Sequence, residues 1–283
     1  MSRAEGGMTL RREDWGLLEL PTMPRLASVA LEAARHTDGV ELLSEALLCA
    51  PAQLAVLLGV ANSAAGRGVL RPERVRTVHE AIGLLGVTYA ASIVVAVALR
   101  PTRPPPRTRR AVGRVWREAL ATAAWSRILS IVSARRSRDA FLCGLLHPLG
   151  RMVLLHTPAA MQPDPDDHLD RSERAVGVAT ASSWGMPPWI VASIGDRELD
   201  PRLPFGREVA TTQLARALAL AGTELHAHPA LAALGLGPRE LHRALRLSPM
   251  VRASVALLCA PAQLAVLLGV ANSAAGRGVL RPE

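Results

Sequence analysis

One imidazole stands out as a group that could do chemistry. Residues 141–155 read FLCGLLHPLGRMVLL, an apolar helical run with His147 at its middle. An imidazole can ligate a metal ion or carry a proton. Cys143 lies four residues earlier, on the same helical face, so the two could form a thiolate–imidazole pair or half of a zinc site. No second pair of ligands has matching spacing, and a buried thiol beside a hydrogen-bonded core histidine is the reading adopted. Pro148 follows His147 and brings no donor atom in its side chain. Asp164, Asp166, Asp167, His168 and Asp170 could hold a hard cation, but their spacing is not that of an EF-hand and the interspersed prolines mark an exposed loop. The chain carries neither a nucleophile elbow nor a Walker loop nor a dinucleotide fingerprint.

The elements that position these groups are helices. The chain has 283 residues, enough for one large domain or two small ones, and 49% of them are hydrophobic, which excludes a disordered chain. Ala, Leu and Val dominate, aromatics are only 3%, and alternating β-branched runs are scarce, so the fold class is all-α. Three cysteines, Cys49, Cys143 and Cys259, suggest a reducing compartment and no disulfide framework. Arg11-Arg12 leads into Glu13-Asp14 rather than an apolar stretch, which speaks against a signal peptide and for a cytoplasmic protein. Residues 81–99 are uncharged over a length that could cross a bilayer. Gly83, Gly86 and the many small residues favour two short buried helices instead.

Helices are expected near 24–36, 39–49, 51–63, 78–86, 88–99, 111–134, 141–155, 173–184, 187–195, 207–222 and 238–247. Residues 1–15 read as a polar lead-in. PTRPPPRTRR at 101–110 cannot continue a helix and reads as a connector between a lobe at 16–100 and a lobe at 111–247. In the helix after it, Trp116, Leu120, Ala124, Ile128 and Ile131 share one face. Pro148 is expected to interrupt or kink the helix that carries His147.

All 33 basic residues are arginine and the formal charge is +9. Arg100, Arg103, Arg107, Arg109 and Arg110 open a basic run that extends to Arg117. Phosphate contact is one use for it. Without interleaved aromatics or a recognition-helix module, a solvated basic face is the preferred reading. Residues 46–73 recur without change as 256–283. Two copies 210 positions apart cannot stack as a repeat fold. Residues 248–283 are therefore treated as a probable appendage, left by a recent duplication, an assembly error or a cloning scar. Deleting 256–283 is expected to leave stability nearly unchanged and to reduce self-association.

Several landmarks together resemble the HDOD domain, the HD-related output domain of bacterial signalling proteins. They are LPTMPRL at 20–26, the Pro-led helix from Pro51 to Asn62-Ser63-Ala64, EAIGLLG at 80–86, Trp116, GLLH at 144–147 with Gly150, Gly177, and WGMP at 184–187. The resemblance covers roughly 20–247 and implies a two-lobed helical domain related to metal phosphohydrolases. In the catalytic relatives a His-Asp pair and further histidines converge on metal.

This chain departs from that pattern at each point. Pro148 replaces the aspartate, while Glu118, Glu173 and Asp196 stand where relatives carry His. The resemblance therefore implies a vestigial pocket of Glu118, His147, Pro148, Glu173 and Asp196, with no catalytic residue, metal or cofactor. The function expected is a non-catalytic signalling module acting through protein partners, with self-association possible. Nucleic acid and a membrane span are set aside. A divergent metal phosphohydrolase using Glu118, His147 and Glu173 is the alternative; an arginine-driven nucleic-acid binder is a weaker one.

Overall fold

The computed structural model describes residues 20–65, 74–101, 104, 106–133, 136–137, 139–156, 170–196, 198–200, 202–221 and 228–259. These residues form helices and no strand, α1 (Arg25–Ala33) to α14 (Ser248–Cys259). The chain is all-α, as expected. Two compact units emerge. One comprises residues 23–100 together with α14 from Met250; the other centres on 101–249.

The first unit holds α1, α2 (Gly39–Leu48), α3 (Pro51–Ala65), α4 (Val78–Leu85) and α5 (Val87–Ala98). Pro51 opens α3, where a missing N–H costs nothing. Near its end, Asn62 forms a two-way amide pair with Val75. Its Nδ2 donates to Val75 O at 3.0 Å, and Val75 N donates to its Oδ1 at 3.0 Å. Ser63 Oγ donates back to Val60 O. The Pro51–Asn62–Ser63 motif is thus placed in local architecture, and the chain from Asn62 to Val75 is pinned at both ends. Thr77 and Glu80 then build a reciprocal capping box that starts α4.

The uncharged stretch at 81–99 divides between α4 and α5, which bend by 112° around Gly86. Residues 90–96 of α5 are buried without interruption, against α1 and α3. No single helix among the described residues is long and apolar enough to cross a membrane; only this bent pair reaches that length and composition. α14 includes residues 256–259 of the second copy of the duplicated segment, and its Val251 and Leu258 are buried. The remainder of that copy lies outside the described residues.

The second unit is built on α6 (Arg109–Val132), a helix of 24 residues. Around it lie α7 (Ala140–Leu146), α8 (Leu149–Leu154), α9 (Asp170–Ser183), α10 (Pro188–Gly195), α11 (Gly206–Ala221), α12 (Pro229–Leu234) and α13 (Pro238–Leu245). α7 and α11 both pack on α6, which buries more than the single face expected. Trp116, Leu120, Ala124 and Ile128 are buried, but Ile131 is 49% exposed. In the last turn Val132, and not Ile131, takes the inward position. One helix arises that the pattern does not announce, α12, too short to show a period; α14 begins eight residues before the duplicated tail and runs into it.

Candidate functional site

Pro148 shapes the site. Without an N–H it cannot donate to the carbonyl four residues back, on Gly144, and the helix stops there. α7 ends at Leu146, His147 caps it, and α8 starts at Leu149 with Pro148 in its N-cap position at φ −96° and ψ 21°. The interruption expected from the sequence is present. The carbonyl that Pro148 leaves without a backbone donor is not left open: His147 Nδ1 lies 2.7 Å from Gly144 O. A carbonyl only accepts, so Nδ1 carries the hydrogen. In the neutral ring, Nε2 must then present its lone pair.

His147 lines a small cavity of about 20 Å³ together with Glu118, Pro148, Gly150, Arg151, Glu173, Arg174 and Arg216. Its volume suits one or two waters. Five helices, α6, α7, α8, α9 and α11, position these groups within the second unit. Gly144 lets α7 approach α6 closely: a Cβ there would come within 2.7 Å of the α6 backbone at Ala123 and Thr122. This contact sets His147 beside Glu118 of α6. Likewise, Gly150 of α8 lies against the backbone of α9 at Glu173 and Gly177, which brings Arg151 and Glu173 together.

The electrostatics are those of two ion pairs that share one cavity. Arg216 Nε donates to Glu118 Oε1 at 2.9 Å. Arg151 Nε lies 3.3 Å from Glu173 Oε1. Burial works against the Glu118 charge, but the basic groups beside it outweigh burial and hold its carboxyl below the usual range. His147 Nε2 is 3.6 Å from the same Glu118 oxygen, outside hydrogen-bond reach, and has no hydrogen-bond partner among the described residues. Burial of the ring, with Arg216 adding to it, outweighs the pull of Glu118 and the Gly144 carbonyl, so the His147 pKa falls below the ordinary histidine value.

Of the five residues expected in the pocket, Glu118, His147, Pro148 and Glu173 meet there. Asp196 does not: it is exposed beyond the end of α10 and contributes nothing to the lining. Arg151, Arg174 and Arg216 line the cavity and were missed. Arg151 carried a usable signal, four residues after His147; Arg216, 98 positions from Glu118, carried none. Cys143 does not join His147. Its Sγ is 4.0 Å from Trp189 O, and burial pushes its thiol far above the usual range. Such a thiol is a packing group. Arg103 and the residues Asp164, Asp166, Asp167 and His168 lie outside the described residues.

The donor set does not fit a metal ion. Among the described residues no three His, Cys, Asp or Glu side chains converge as ligands. The two carboxylates of the cavity are each engaged by a guanidinium, and the position after His147 supplies no oxygen.

The sequence profile of the HDOD domain matches residues 20–198, more than half of the chain. The chain belongs to the HDOD family. No curated protein sequence matches it. Among solved structures, it is similar to an HDOD domain protein of unknown function from Geobacter sulfurreducens, at a TM-score of 0.67 and 18% identity, covering 90% of this chain and 98% of the other. A provisionally named metal-dependent phosphohydrolase from Shewanella amazonensis SB2B aligns at a TM-score of 0.61 and 20% identity, over 87% and 96%. At these identities the likeness is one of fold.

Proposed function

We propose that this chain is a non-catalytic HDOD signalling module that works by binding protein partners. The observation that carries this reading is the engagement of the pocket's carboxylates: Glu118 by Arg216 and Glu173 by Arg151, beside a Pro148 that has no donor. A hydrolytic metal centre needs carboxylate and imidazole groups open toward the ion, and an ion would here have to displace two internal cations. One pair ties α6 to α11 and the other ties α8 to α9, on the walls of the same cavity. Such pairing suits a scaffold that presents a fixed surface.

The divergent phosphohydrolase remains the reading to beat, because Glu118, His147 and Glu173 do line one cavity. The deciding experiment is turnover of bis-p-nitrophenyl phosphate and cyclic dinucleotides with Mn²⁺, Mg²⁺ or Fe²⁺. The expected rate equals that of His147→Ala. Metal-dependent turnover abolished by His147→Ala would overturn the proposal. Arg216→Ala provides a second check. Released from its guanidinium, Glu118 should rise in pKa, and the fold should lose about 1–2 kcal/mol, as for one partly buried charge-assisted bond.

A further inference from the structure

The N-terminal third of α6 carries a basic surface that the pocket and the packing do not explain. Arg107, Arg109, Arg110, Arg114 and Arg117 are exposed. At 100° per residue, Arg110, Arg114 and Arg117 fall within about 60° of one another, along about 10 Å of helix axis. Every apolar side chain between them points inward: Ala111, Val112, Val115 and Trp116 are all buried, the first three in a cluster with Leu155. Arg107, Arg109, Arg110 and Arg117 form no ion pair with a described residue.

This arrangement works against the helix that bears it. The first turn of α6 has no acidic residue, and Thr108 does not cap it by its side chain. Its Oγ1 donates to Leu155 O instead. Cations in the first turn of a helix meet the positive end of the dipole, which disfavours Arg109 and Arg110 where they stand. The like-charged pair Arg110–Arg114, at i and i+4, adds to this. Codon preference accounts for arginine in place of lysine. It does not account for five on one uncapped helix end without a single interposed acid.

We propose that this stripe docks on the phosphate backbone of duplex nucleic acid, independently of sequence. A polyanion would neutralise both the guanidinium cluster and the helix end, turning two local costs into one binding term. About 10 Å of duplex axis presents about six phosphates, enough for every arginine of the stripe. An acidic protein partner would be expected to find an aromatic or aliphatic anchor, and a membrane an insertable apolar side chain. The stripe offers neither. Without aromatics it also lacks the stacking platform that single strands use. This surface is separate from the pocket, and the proposal stands or falls independently of the catalytic question.

The test is fluorescence anisotropy of the full chain with a labelled random-sequence DNA duplex of about 20 base pairs, titrated between 50 and 200 mM salt. With four contacts, from Arg109, Arg110, Arg114 and Arg117, affinity should fall roughly 150-fold across that range. The triple variant Arg109→Gln, Arg110→Gln, Arg117→Gln should reduce the log–log salt slope by about 2 to 3, roughly 0.9 for each contact. It leaves Arg114 in place, which interacts within the fold. The control removes the same charge elsewhere, with Arg25→Gln, Arg35→Gln, Arg74→Gln, and should keep the wild-type slope. Circular dichroism checks that both variants are folded. No duplex binding at 50 mM salt, an equal loss in the control, or binding to phosphatidylserine vesicles or polyglutamate without binding to duplex would each overturn the proposal.

Discussion

His147 Nδ1 and Gly144 O lie 2.7 Å apart, and the reason is the residue that follows the histidine. Pro148 withdraws the backbone N–H that would have served Gly144 O, and the imidazole serves it instead. A single substitution thereby breaks a helix and fixes a tautomer. The site chemistry follows, because a ring held by Nδ1–H turns a lone pair, rather than a hydrogen, toward Glu118.

The tautomer can be read directly. At pH 8 the ¹⁵N shifts of His147 should report a protonated Nδ1 and a bare Nε2. In Pro148→Ala the restored backbone N–H competes for Gly144 O, and the imidazole should move toward a mixture of tautomers. A wild-type ring protonated at Nε2 would contradict the geometry.

Stability should fall in acid partly through this ring. Burial lowers the pKa of His147 in the folded state, whereas the unfolded chain keeps a value near ~6.5. As pH falls below ~6.5 the unfolded state takes up the proton first, so stability drops, and the loss levels off once pH passes the folded pKa. Above ~6.5 the contribution is fully present. The slope from one such group is at most about 1.4 kcal/mol per pH unit. Urea melts of the wild type and of His147→Gln should diverge in slope between pH 7 and 5. His228, whose pKa burial also lowers, contributes to both proteins and cancels in the difference. Glu118 acts in a lower window. Its depressed pKa gives stability present above ~4.5 and lost as pH falls through the folded value. Parallel slopes between pH 7 and 5 would show that the ring titrates normally.

The helices were legible because their ends are written in local chemistry. Pro51 starts α3 and was read as such, whereas the Thr77–Glu80 box of α4 and Pro188 at the first position of α10 are cues of the same kind that the reading did not use. Half of the pocket was legible for a different reason: Glu118, His147, Pro148 and Glu173 occupy positions that the family pattern singles out. Arg216 was not legible, since its role arises only when α11 packs on α6, and no spacing along the chain encodes that. Asp196 failed for the converse reason. Its position matched a pattern, but α10 ends before it and the side chain turns to solvent. α12 escaped because six residues leave the hydrophobic period unreadable.

The α8–α9 crossing sets Arg151 against Glu173. A Cβ on Gly150 would land on the carbonyl oxygen of Glu173 and 2.7 Å from Gly177 N, both of them backbone atoms that cannot rotate away. A Cβ on Gly177 meets the Ile194 side chain at 2.7 Å and Gly150 N at 3.0 Å, and Ile194 can partly yield. Gly150→Ala should therefore cost roughly 3 kcal/mol, at the upper end for overpacking, and Gly177→Ala clearly less. The two helices must separate to admit the methyl group at position 150. That carries Arg151 away from Glu173, so a double-mutant cycle on this ion pair should lose its coupling in the Gly150→Ala background. Denaturant midpoints supply both readouts. Equal costs at positions 150 and 177, or coupling that survives Gly150→Ala, would mean that the crossing tolerates a side chain and that something else positions the Arg151–Glu173 pair.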